Sequence, residues 1–338
     1  MNLKEFSKKI GIPVSTISKA LSNYKGVNIN TKTKIINLAK KYNYSPNINA
    51  KTLASRITFT VGLVLPLTYS YEQKITFIDF IENIHSNLNS LNIPVIMLFA
   101  KNEKEEIDSF EKLINYHKVR LILLNDTKKF DKRIAFLDKK NVEYITWGRC
   151  HKNDDEYSWI DEDIKFSNEL AFKFIISKGH TKIGYIDSDL KFNYFLLRKF
   201  FFILSLKKNN IDIKKDYFVN GYRDDRLKTI NNIKKLLIEN KEITVLLISS
   251  HTFASYAMEA CRELKKEIGK DISLLSFDSN TYSSISPLLT VVKQEVNEIN
   301  KNFKKIITSK INNLEKNFHY LYKTKLIDNN SVAKLDRC

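Results

Sequence analysis

From Thr60 onward the chain repeats one pattern, a short run of β-branched and aliphatic residues followed by a longer stretch with helical spacing of its apolar positions. Runs at 60–67, 94–100, 120–125, 143–148, 182–188, 217–219, 245–249 and 274–278 read as strands. Stretches at 72–91, 103–117, 165–178, 193–208, 225–239 and 252–266 read as helices. Repeated strand–helix–strand units imply parallel sheets covered on both faces, because a parallel neighbour is reached only through a crossover. About a dozen such elements exceed one comfortable sheet. Two α/β subdomains are therefore expected, with a ligand cleft at the carboxyl ends of their strands.

The first 58 residues follow a different rule. Leu3, Phe6 and Ile10 form an apolar stripe on a helix that Asn2 can cap, with Glu5 at its third position. Gly11 supplies the left-handed turn that ends this helix, and Pro13 opens a second one. Its inward positions are Val14 or Ile17, then Ala20 and Leu21. Asn28 caps a third helix whose inward face is Ile35, Leu38, Ala39 and Tyr42. Three short helices, the second and third separated by a glycine-containing loop, make a small helix-turn-helix headpiece.

Charge sharpens this reading. Residues 1–58 hold 11 Lys/Arg against one acid, Glu5, leaving 45 of the 56 basic and 37 of the 38 acidic residues to the other 280 positions. A basic segment almost free of carboxylates suggests a polyanionic partner. After the headpiece comes a run from Tyr44 to Arg56 in which Pro46 ends one helix and can start another. A helix of that length is marginal in water by itself. This segment reads as a linker that becomes helical only when something stabilises it.

Composition excludes several classes. Hydrophobic residues make up 43% and aromatics 12%, enough for sizeable cores. Cys150, Cys261 and Cys338 have no paired spacing, so neither a zinc site nor a disulfide framework is indicated. The first ten residues alternate charge with apolar groups and do not read as a signal peptide. The most apolar later run, 192–206, is interrupted by Arg198 and Lys199 and falls short of a membrane span. A cytoplasmic protein with no cofactor is expected. There is no P-loop, no GxSxG, no HExxH and no metal-spaced His/Cys cluster, so nothing supports catalysis. Asp154-Asp155-Glu156 and Asp161-Glu162-Asp163 read as a solvated loop entering the helix after Asp163.

Taken together, Asn2-Leu3-Lys4-Glu5-Phe6, Val14-Ser15-Thr16-Ile17-Ser18-Lys19-Ala20-Leu21-Ser22 and Tyr44-Ser45-Pro46-Asn47 resemble the LacI/GalR transcriptional repressors. Lys178-Gly179-His180, Ser286-Pro287-Leu288-Leu289-Thr290 and Lys293-Gln294 resemble landmarks of that family's effector-binding body, and the resemblance covers the whole chain. Thr146-Trp147-Gly148-Arg149 looks most like the branch regulating α-glucoside and related sugar use. The resemblance implies an α/β fold with a three-helix headpiece at 1–45, a hinge helix at 46–58 and a two-subdomain, periplasmic-binding-protein-like (type I) effector domain at 59–338. The subdomains are expected at 59–158 plus 291–318, and at 159–290 plus 319–338.

It implies site residues as well. Val14, Ser15 and Lys19 would face base edges in the major groove, with Thr16, Ser18, Asn2 and Thr31 on phosphates and Lys4, Lys32 and Lys34 adding salt-sensitive attraction. The family usually has arginine where this chain has Lys19, and a lysine donates as a point charge without a fork. In the hinge, Leu53 matches the minor-groove wedge, flanked by Ala50 and Ala54, with Asn47 and Lys51 as minor-groove and backbone contacts. For the effector, Arg198 and Asp278 match a clamp for sugar hydroxyls, and Phe77 and Trp147 could stack on a sugar face or belong to the core. Ser250-His251 stands where the family has an Asn-Asp pair, with His251 as a replacement contact or a helix-start residue, and Phe201 stands where it has glycine. The stretch 67–76 is also atypical. The implied partners are a pseudo-palindromic double-stranded operator, a small sugar effector and a second copy of the chain, with no membrane and no metal. Residues 331–338 are too few for a tetramerising helix. The alternatives are a periplasmic-type sugar-binding protein, or a regulator with altered or lost effector binding.

Overall fold

The computed structural model describes residues 3–21, 28–42, 59–69, 71–91, 93–150, 154–188, 192–278, 289–312 and 317–335. The chain divides into two compact units, residues 1–58 and 59–338.

In the first unit, helices α1 (Leu3–Ile10), α2 (Val14–Leu21) and α3 (Ile29–Lys41) enclose Phe6, Ile17, Ala20, Ile35 and Ala39. Gly11 has φ +66°, the left-handed conformation that turns the chain out of α1 at no steric cost. The Ser7 hydroxyl donates to the Ile12 carbonyl at 2.6 Å and pins that turn. The Pro13 carbonyl then accepts from Thr16 and Ile17, both at 3.0 Å, and so starts α2. Asn28 caps α3 by accepting the Asn30 N–H at 2.9 Å. Ile17 rather than Val14 is the inward residue of α2: Ile17 is fully buried and Val14 is exposed.

The second unit has strands β1 (Val61–Pro66), β2 (Val95–Ala100), β3 (Leu121–Leu124), β4 (Glu143–Trp147), β5 (Ser158–Glu162) and β11 (His319–Tyr322) in one sheet, in the order β11-β5-β4-β3-β1-β2. The other sheet has β6 (Ile183–Ser188), β7 (Phe218–Gly221), β8 (Val245–Ile248), β9 (Ser273–Asp278), β10 (Thr290–Gln294) and β12 (Thr324–Ile327), in the order β12-β10-β9-β8-β6-β7. Every neighbouring pair is parallel except β10 with β12.

Alternation along β3 shows why both faces need covering. Leu121 and Leu123 join one core with Phe77, Phe80, Ile84 and Leu88 of α4 (Tyr71–Ser90) and Ile299, Phe303 and Ile306 of α11 (Val296–Asn312). Ile122 and Leu124 join another with Phe110 and Leu113 of α5 (Glu103–Asn115) and Ile134 and Leu137 of α6 (Lys132–Lys139). The second sheet repeats the scheme. Helices α9 (Arg226–Glu239) and α10 (His251–Glu263) cover one face through Ile230, Ile233, Phe253 and Ala257. Helices α7 (Ile164–Ser177) and α8 (Asn193–Lys208) cover the other through Phe172, Ile175 and Phe202.

The chain passes between the sheets three times, after β5, after β10 and after β11. These points differ from the expected boundaries. β5 and β11 belong to the first sheet although 159–162 and 319–322 were assigned to the second, and β10 belongs to the second although 291–294 was assigned to the first. The physical reason is that a polypeptide leaves a sheet at the end of a strand, and these three strands escape a pattern search. β5 ends in two carboxylates, β10 ends in Lys293-Gln294, and the four residues of β11 begin with His319.

Candidate functional site

A cleft opens where the chain crosses between the sheets. Glu162, Gln294 and Tyr322, the last residues of β5, β10 and β11, all line it. The hinge and the cleft are therefore built from the same backbone.

Phe77, Trp147, Arg198, Ser250 and His251 all line this cleft. Phe77 is buried, 5.9 Å from the ring of Phe80, so it serves cleft wall and core together. Trp147 ends β4, sits 5.0 Å from Phe80 and donates its indole N–H to the Tyr322 hydroxyl at 3.1 Å. Ser250 occupies the cap position of α10 but makes no side-chain capping bond, and His251 is the first residue of that helix. Asp278 is the last residue of β9, and its side chain lies outside the described residues. Phe201 lies on α8, half-buried with its ring 5.2 Å from Phe200, and does not line the cleft.

Arg198 does not stand open to a ligand at its tip. One terminal nitrogen donates to the Ser249 carbonyl at 2.6 Å and the other to Glu162 Oε2 at 2.5 Å. Its guanidinium also lies 4.5 Å from the centre of the Phe277 ring. Glu162 belongs to the first sheet and Arg198 to the second subdomain, so this pair spans the cleft.

The carboxylates Asp161 and Glu162 are the main correction to the sequence reading. They are not in a solvated loop but buried at 5% and 4% exposure, at the end of β5. Asp155 and Glu156 are exposed as expected, and Asp163 leads into α7, capping it by accepting the Phe166 N–H at 3.0 Å. Asp161 accepts from Arg149 Nε at 2.8 Å, and Arg149 lies against the Trp159 ring. Burial pushes the Asp161 carboxyl up, and the adjacent Arg149 opposes the rise. The signal available in the sequence is the pair Trp159-Ile160, which runs into these carboxylates as a short parallel strand ends at a cleft.

A third pair completes the wall: Arg223 lies 3.7 Å from Asp126, donates to the Tyr194 hydroxyl and rests on the Phe192 ring. The mouth is bridged by backbone as well, since Lys128 pairs with Phe192 and the Asn193 N–H donates to the Thr127 carbonyl at 3.3 Å. The 125–127 turn is held from behind by Arg133, which forks onto Asp131 at 2.9 and 2.7 Å and donates to the carbonyls of Asn125 and Asp126. Burial alone would raise the Asp131 carboxyl, but Arg133 holds it below the usual carboxylate range. Gly148 has φ +101°, and a Cβ there would sit 2.7 Å from Thr127 Oγ1, so only glycine fits beside this turn.

In the first unit, Ser15, Ser18 and Lys19 are exposed on α2 with Val14, while Thr16 is half-buried. Asn47, Ala50, Lys51, Leu53 and Ala54 lie outside the described residues. Among the described residues no group of three or more His, Cys, Asp or Glu side chains could hold a metal ion. No helix among them is long and apolar enough to cross a membrane.

The model of the periplasmic binding protein-like domain matches residues 172–332. The HTH-type transcriptional regulator MalR of Clostridium butyricum is 25% identical over 341 residues, covering 98% of this chain and 99% of the relative. The fold is that of the lac repressor dimer bound to operator and the anti-inducer ONPF, with TM-score 0.78 at 18% identity over 98% of this chain and 99% of that one. It is also that of the transcriptional regulator CelR–cellobiose complex, with TM-score 0.71 at 17% identity over 97% and 98%. The family-model match, the curated regulators and the shared fold together support a LacI/GalR-family transcription regulator. The matched relatives are regulators and not enzymes.

Proposed function

We propose that the chain is a DNA-binding transcription regulator whose operator affinity is set by a small carbohydrate. The observation that carries this reading is one chain with two kinds of site: an exposed, nearly acid-free helix in a three-helix unit, and a buried cleft of aromatic rings and paired charges at a hinge. Val14, Ser15 and Lys19 of α2 would meet base edges, with Thr16 and Ser18 on phosphates. Asn47, Ala50, Lys51, Leu53 and Ala54 would form the minor-groove hinge. Phe77, Trp147, Arg198, Ser250, His251 and Asp278 would surround the effector. That a neighbour of the same fold holds cellobiose supports a sugar as effector, and Thr146-Trp147-Gly148-Arg149 favours the α-glucoside branch.

A regulator of this kind acts in the cytoplasm as a homodimer, because one headpiece covers one half-site of a two-fold operator. Met97 and Phe99 are exposed on β2, an edge strand, and Ile78 on α4 and Leu227 and Ile238 on α9 add further exposed apolar surface. These supply faces for a second copy.

The test selects DNA from a random duplex library with the full-length protein, then measures its retardation with and without a panel of sugars. The expected result is a pseudo-palindromic sequence whose retardation a sugar changes. Deleting residues 1–56 should abolish DNA binding and leave sugar binding intact. Sugar turnover by the intact chain would overturn the reading.

A further inference from the structure

Building on the carbohydrate reading above, we infer that the cleft selects neutral polyols against their carboxylate-bearing analogues, and that Glu162 is the specificity-determining residue, accepting a ligand hydroxyl. The first argument is charge. Arg149, Arg198 and Arg223 each face a carboxylate of the cleft wall, Asp161, Glu162 and Asp126. His251 aside, the described charges of the lining cancel. An anionic ligand finds no arginine without an internal partner. A ligand anion beside any of them also faces that carboxylate, and Asp161 and Glu162 are themselves buried, where like-charge juxtaposition is strongly unfavourable.

The second argument is the set of buried polar atoms that the fold leaves unsatisfied. Glu162 Oε1, Arg198 Nε, Arg223 Nε and Nη1, and Thr252 Oγ1 have no hydrogen-bond partner, and all four residues line the cleft. Glu162 and Arg198 are more than nine-tenths buried, so water does not freely meet their needs. The set pairs one pure acceptor with three pure donors and a hydroxyl that does both. Vicinal sugar hydroxyls, each donating and accepting, complement all of these at once. A uronate carboxylate only accepts. It would satisfy Arg198 Nε but leave Glu162 Oε1 unpaired and facing a like charge.

The third argument is shape. The rings of Phe80, Trp147, Tyr194 and Phe277 line the same space, and the half-buried Trp147 and Tyr194 offer apolar surface to the C–H faces of a sugar ring. Glu162 also joins the two subdomains through Arg198, so a hydroxyl placed on Oε1 contacts the hinge itself.

Titration calorimetry on the full-length protein would compare glucose, galactose, maltose and cellobiose, each with the same sugar oxidised to a carboxylate at a C6 hydroxyl. A neutral member should bind about 100-fold more tightly than its oxidised partner, the scale of a like-charge juxtaposition in a desolvated site. The Glu162→Gln protein, checked for native circular dichroism, should narrow that ratio by about tenfold or more, because the oxidised sugar can then pair with Arg198. A merely structural Glu162 would weaken both ligands together and leave the ratio unchanged, which would overturn the inference. Equal or tighter binding of an oxidised sugar by the unaltered protein would overturn it too, with the carbohydrate reading intact. Failure of every sugar in both classes would overturn both.

Discussion

The headpiece and the cleft place their working groups on opposite sides of the solvent boundary. In the headpiece the buried residues are apolar and the exposed ones, Ser15, Ser18 and Lys19, are polar. In the cleft Asp161, Glu162 and Arg198 are themselves buried, and each is held by a partner from another segment. A surface site of the first kind can be changed residue by residue without disturbing its fold, and its affinity follows salt. In a buried site of the second kind, stability and binding share the same atoms.

That contrast can be broken or sharpened by experiment. The largest effect is expected from Ile17→Asp, which buries a charge among the four apolar side chains Phe6, Ala20, Ile35 and Ala39. Operator retardation should vanish while sugar binding by residues 59–338 persists, since the two form separate compact units. Loss of both activities would show that the units fold as one. Next comes Arg198→Ala, which leaves Glu162 buried without its cation and should lower stability by about 3–5 kcal/mol in urea titrations. Replacing both residues, Arg198→Met with Glu162→Leu, should recover most of that stability but no sugar binding. Recovered binding would sink the shared-atom view. Lys19→Ala should weaken the selected operator about 10- to 100-fold at constant salt, with the thermal transition unmoved. Leu53→Ala should cost about tenfold or more in operator affinity and leave headpiece folding intact.

The smallest effect is a slope with pH. His180 is buried between Thr244 at 2.8 Å and the Ala333 carbonyl at 2.9 Å, and burial holds its pKa below the ordinary 6.5. The unfolded chain therefore binds the extra proton first as pH falls. His180's contribution is complete above pH 6.5 and is lost as pH drops through the depressed value. Thermal midpoints measured from pH 7 down to 5 should decline, and His180→Gln should flatten the decline. An unchanged slope would assign the effect to other groups.

Much of the architecture was legible because it is local. Gly11, Pro13 and Asn28 mark the ends of helices, and the spacing of Phe6, Ile17, Ala20, Ile35 and Ala39 marks one core. Eight strands and six helices of the second unit follow from period and length in the same way. The strands that failed to register are β5, β10, β11 and β12; β5 and β10 end in polar or charged residues, β11 begins with His319 and β12 carries Lys325, whereas β3 and β8 are just as short but wholly apolar. In β5 the chemistry that makes the strand useful also hides it, since Asp161 and Glu162 look like solvent-facing residues until Arg149 and Arg198 are seen beside them.

Sequence alone determined the two-unit plan, the parallel α/β body and the candidate reading helix, because period, caps and the missing acids of residues 1–58 are properties of neighbouring residues. Only the tertiary structure decided where the chain crosses between sheets, and that Arg198 meets Glu162 rather than an open cleft. Arg198 and Glu162 are 36 residues apart in the chain, and no local pattern encodes their meeting. It comes from two sheets closing on a hinge, where burial makes each charge depend on the other.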